Sequence, residues 1–190
     1  MRRALIAAGL LVSVVLAPAR AFSAWGLGAN LGLSILNPSE IGVPNATVVG
    51  VPAQSTAFMP GLRFSMTEGT MVHEAYVDLG YFGESSEGDH FHTMRLGGNY
   101  QYNFKGTSAR PFLTAGVGIF NVGSGAGGPH ATTFTFGGGA GVGFPVSDNA
   151  GRLRLEARVD KIREGRSNGE IVIGETTAIQ VLFGFDLWVR

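Results

Sequence analysis

Eight times between Trp25 and Leu187 the chain alternates apolar residues with small or polar ones at a period of two, as a strand does when its faces meet unlike surroundings. The first run sets Trp25, Leu27, Ala29, Leu31, Leu33 and Ile35 against Gly26, Gly28, Asn30, Gly32 and Ser34. Runs at Ala57–Met66, Met71–Phe82, Thr93–Phe104, Leu113–Ile119, Thr133–Phe144, Leu153–Asp160 and Ile179–Leu187 keep the rule. Their lengths approach the roughly 9–11 residues with which a tilted strand crosses a bilayer, and an even count of eight suits the smallest closed barrels of that kind. The fold expected is all-β: an eight-stranded antiparallel up-and-down transmembrane β-barrel.

Composition removes the competitors. The 190 residues include 30 glycines without a collagen period, too many for a helical domain. With 45% hydrophobic residues and a formal charge of zero, the chain is neither a disordered protein nor an evident nucleic-acid binder. No cysteine is present, which excludes disulfides, thiolate zinc sites and cysteine nucleophiles. Met1-Arg2-Arg3, the apolar run Ala4 to Ala17 and Ala19-Arg20-Ala21 read as a signal peptide over residues 1–21. Cleavage after Ser23 or Ala24 is an alternative, and residues 22–190 form the barrel domain. Without Arg2, Arg3 and Arg20, 11 basic side chains face 14 acidic ones, a net charge of about −3.

Short polar turns at Thr67–Thr70, Lys105–Ala109 and Ser147–Gly151 alternate with longer links at Leu36–Thr56, Gly83–Asp89, Gly123–Ala131 and Arg163–Glu175. Short turns on one side and long loops on the other are the habit of outer-membrane barrels. Pro60 conflicts with a strand paired on both sides, so a bulge or a later strand start is expected there.

The polar face decides which side meets which solvent. It is mostly glycine, serine, threonine and asparagine, a poor water-facing surface but one suited to a narrow lumen. Arg63, Arg95, Arg154 and Arg158 share its parity with Glu74, Asp78, Glu156, Asp160 and Asp186. A charge facing lipid at mid-depth costs roughly 2–4 kcal/mol. These nine residues therefore belong inside, as a nearly balanced network that plugs the lumen. Trp25, Tyr102, Phe104 and Phe144 near one end, and Phe58, Tyr81 and Phe134 near the other, suggest two interfacial girdles.

The runs Arg110–Gly118, Phe136–Phe144 and Arg152–Asp160 resemble strands five to seven of the outer-membrane barrel families that include the OmpA transmembrane domain, OmpX/Ail and OmpW. The final Gly184–Arg190 is similar to the C-terminal signal read by the barrel-assembly machinery, although it ends in arginine where phenylalanine is usual. The resemblance implies a cell outer-membrane location. It also implies a bilayer with lipopolysaccharide as surroundings, the assembly machinery as a partner in biogenesis, and a monomer with a structural or surface-interaction role. The OmpW likeness implies an alternative, transport of small hydrophobic molecules through a lateral opening.

Chemistry leaves few candidates, and no catalytic, cofactor-binding or metal residue is assigned. His90 and His92 share one strand face beside Glu84, Glu87 and Asp89; they read as rim polar groups, with a metal site as the alternative. His73 and His130 complete the histidines. Arg166-Ser167-Asn168-Gly169 is faintly similar to a stretch of outer-membrane lipid A deacylases, but Gly165 stands where their histidine would, so Ser167 lacks a base. No enzyme is expected. Ile41, Val43, Val48, Val49 and Val51 make the first long loop unusually apolar, either packed among loops or at an entrance for hydrophobic molecules.

Overall fold

The computed structural model describes residues 23–36, 56–68, 70–86, 89–106, 108–124, 130–147 and 150–189. The expected signal peptide and the apolar loop residues between 37 and 55 lie outside that set. Eight strands close a barrel: β1 (Ala24–Leu36), β2 (Thr56–Thr67), β3 (His73–Ser86), β4 (Asp89–Asn103), β5 (Arg110–Ser124), β6 (His130–Val146), β7 (Gly151–Ile162) and β10 (Thr176–Val189). Successive barrel strands are neighbours, every pair is antiparallel, and β10 returns to β1 from Trp25↔Val189 to Leu36↔Ala178. This is the expected up-and-down order.

Three local expectations need correction. The link Gly83–Asp89 is shorter, because β3 and β4 stay paired out to Ser86↔Asp89. Backbone pairing outruns the apolar pattern there, since the ladder satisfies its amides whatever the side chains face. The link Arg163–Glu175 contains a hairpin of β8 (Gly165–Ser167) and β9 (Glu170–Ile173), turning at Asn168 and Gly169 with φ of 51° and 89°. Asn-Gly suits such a two-residue turn because both positions need positive φ. Pro60 produces neither a bulge nor a late start, for β2 runs through it in continuous register with β1 at Leu31↔Pro60. The ladder to β3 instead stops one residue earlier, at Gly61↔Gly80, so proline is tolerated where β2 has a free flank.

The wall has the two faces the pattern demands. Leu27, Leu62 and Phe183 point outward, exposed by 56%, 58% and 54%. Trp25, Tyr102, Phe104 and Phe144 are exposed toward the end where the chain enters and leaves the barrel, with Tyr81 and Phe134 toward the other. The Phe58 side chain is outside the described set. Inside, the end remote from the termini is filled by Phe120, Val122, Ala131, Ile162 and Ala178 with Ile173 of the β8–β9 hairpin. Ala24, Met71 and Trp188 pack together at the opposite end.

Candidate functional site

All nine charged residues assigned to the interior are buried. A tenth, Arg152, joins them and makes the count five arginines against five carboxylates. They form one chain of alternating sign that climbs the lumen: Arg63–Glu74–Arg152–Asp186–Arg154–Glu156–Arg158–Asp160–Arg95–Asp78. β7 alone contributes five members, because every second residue from Arg152 to Asp160 points inward.

Arg152 is the best-connected link. Its Nη1 and Nη2 donate to the two Glu74 oxygens at 2.8 and 2.9 Å, and its Nη2 and Nε donate to Asp186 Oδ2 at 2.7 and 3.0 Å. Its guanidinium also stands 5.2 Å from the Trp188 ring centre. Arg63 donates to Gln101 Oε1 at 2.9 Å and stacks 3.4 Å over the Tyr76 ring. Arg158 donates to Asp160 at 2.8 Å and to Asn99 at 2.6 Å, while Asn99 donates to Asp78 at 2.6 Å. Paired and hydrogen-bonded in this way, ions withdrawn from water avoid the penalty that isolated buried charges carry.

The register explains how such long side chains fit. On β6, Gly137, Gly139, Gly141 and Gly143 lie directly opposite Asp160, Arg158, Glu156 and Arg154. Gly28 faces both Arg63 and Asp186, Gly97 faces Asp78, and Gly80 faces Arg95. Charge and glycine are cross-strand neighbours at eight of the ten positions, Glu74 and Arg152 being the exceptions, so most of the ionic side chains lie over a residue without one. Seven of the ten ladder residues are 1% exposed or less, shielded from the solvent at either mouth. Beside Asp78 and Arg95 a void of about 30 Å³ remains, room for a few waters.

The other candidates separate. His73 lies near the turn end and hydrogen-bonds the Tyr100 hydroxyl. His92 of β4 meets His130 of β6, a pairing that nothing in the local sequence announces, whereas the His90 side chain is outside the described set. Ser167 ends β8, and among the described residues neither a histidine nor a carboxylate hydrogen-bonds its hydroxyl. Arg166 pairs instead with Glu164.

No protein-family model and no curated protein matches the chain. Solved structures do match. Neisserial surface protein A superposes with a TM-score of 0.66 at 14% identity, over 87% of this chain and 98% of that one. The chain has the fold of a small outer-membrane barrel. A major outer membrane protein of Thermus thermophilus gives 0.52 at 9% identity, over 87% and 99% of the two chains. Ail of Yersinia pestis gives 0.50 at 11%, over 88% and 99%. At these identities the likeness concerns the barrel itself.

Proposed function

We propose that the protein is a monomeric, non-enzymatic outer-membrane barrel with a structural or surface-interaction role, its apolar belt in the bilayer and its long loops toward lipopolysaccharide and the exterior. The observation that carries this reading is the ten-residue charge ladder, which crosses the lumen with seven of its members 1% exposed or less. An open channel would leave its lining residues accessible. Purified barrel reconstituted in a planar bilayer is therefore expected to show no steady ohmic conductance, and stable, reproducible conductance steps would refute the plug.

One observation favours a second reading, lateral passage of small hydrophobic molecules. The β2–β3 ladder has only seven pairs, Gly61↔Gly80 to Thr67↔Glu74, although β2 continues to Thr56 and β3 to Ser86. Above Gly61 β2 and β3 are not paired with each other among the described residues, and outside that seam lies an apolar groove of about 570 Å³ lined by residues including Leu31, Leu62, Leu79, Tyr81 and Phe183. Unpaired backbone is costly in hydrocarbon unless something covers it. The absence of native cysteine makes the test simple. A disulfide between Pro60→Cys and Tyr81→Cys should block uptake of a small hydrophobic solute and release it on reduction. Uptake indifferent to oxidation would remove this reading.

A further inference from the structure

His92, Gly123 and His130 form one row across β4, β5 and β6, His92↔Gly123 in one ladder and Gly123↔His130 in the next. The two imidazole centres are 6.1 Å apart, with planes inclined by 41°. Gly123 permits this approach. A Cβ on it would collide with His130 Nδ1 and with His92 Cε1, the carbon between the two ring nitrogens. Both rings thus turn a nitrogen-bearing edge into the space that a side chain at 123 would occupy.

The row stands outside the apolar belt. Below it, Asn121 Nδ2 donates to Thr132 Oγ1 at 2.7 Å, and the exposed apolar residues Ile119 and Phe134 come only beneath that pair. His130 is exposed, so water and ions reach it. Metal–imidazole bonds of about 2.0–2.1 Å put the ring centres of two histidines on one ion roughly 5–6.5 Å apart.

We infer that His92 and His130 bind one divalent transition-metal ion of the imidazole-preferring class, Zn²⁺, Ni²⁺ or Cu²⁺, with water completing its coordination. The site joins three strands at the outer rim, where β5 reaches its last residue, Ser124. It pairs His92 with a partner on another strand.

Isothermal titration of Zn²⁺ into untagged, chelator-treated barrel in detergent micelles tests this. One ion should bind per barrel. His92→Ala and His130→Ala should each weaken binding by about tenfold or more. Gly123→Ala should do the same with both histidines intact, because its methyl occupies the ion's place. His73→Ala, near the opposite end, should bind as the unaltered chain does. The heat-dependent gel mobility of each variant verifies that it has folded. Absence of saturable binding to the unaltered barrel, or undiminished affinity in folded His130→Ala, would overturn the assignment.

Discussion

Replacing Arg152 with methionine should cost the barrel about 3–5 kcal/mol of folding free energy, the range for removing one partner of a buried ion pair. Arg152 bridges Glu74 and Asp186 through four donated hydrogen bonds, and methionine keeps much of the stem while deleting every one of them. Glu74 then retains Arg63, and Asp186 retains Arg154 at 3.4 Å. Those remaining contacts place the loss toward the lower end of the range. Arg166→Met supplies the contrast, for the Arg166–Glu164 pair has side chains 57% and 41% exposed. Its loss should change stability by no more than about 0.5 kcal/mol. Urea midpoints followed by fluorescence of Trp25 and Trp188, converted with a common slope, give both numbers. Equal midpoints for the two variants would mean that the ladder does not hold the wall together.

The existence of that ladder is readable from the sequence, but its keystone is harder to see. Strand parity is strict because a one-residue slip would turn arginines into the surrounding hydrocarbon, so nine charges fall on the correct face at once. Arg152 escapes because the seventh apolar run begins at Leu153, and the residues just before it have the composition of a turn. Carrying the parity of Arg154 and Arg158 one step back finds it, and balances the charges five to five. The β8–β9 hairpin likewise has its signal in Asn168-Gly169. Other features depend on pairing that no local pattern encodes. Pro60 announces a missing hydrogen bond but not that the free flank faces β3. His92 and His130 are 38 positions apart in the sequence, and only the registers through Gly123 bring them together. The glycine-rich face is legible as a face, whereas the match of individual glycines to individual charges requires the barrel.

That match yields the second large effect, and its sign opposes local propensity. Valine suits a strand better than glycine by up to about 1 kcal/mol, so Gly139→Val judged by propensity alone should stabilise β6. The register says the reverse. Gly139 lies opposite Arg158, and a Cβ there would collide with the Ala157 carbonyl oxygen and come within 3.1 Å of Arg158 Cα. Both are backbone atoms, which cannot swing aside as a side-chain tip does. Gly139→Val should therefore lose about 3 kcal/mol or more, the upper part of the range for overpacking, or fail to fold. Ala140→Val, one residue on and facing outward, should be close to neutral. Gly143→Ala should be intermediate: its nearest obstacles are Arg152 Cδ at 2.8 Å and Cγ at 3.3 Å, part of a long side chain that can adjust. Denaturant midpoints that rank Ala140→Val, Gly143→Ala and Gly139→Val in descending order would show that these glycines are required by what stands against them on the inner face, backbone of β7 at Gly139 and the Arg152 stem at Gly143. If Gly139→Val instead folded as stably as Ala140→Val, the close approach of β7 would not require glycine at this position, and the ladder would have to fit by some other means.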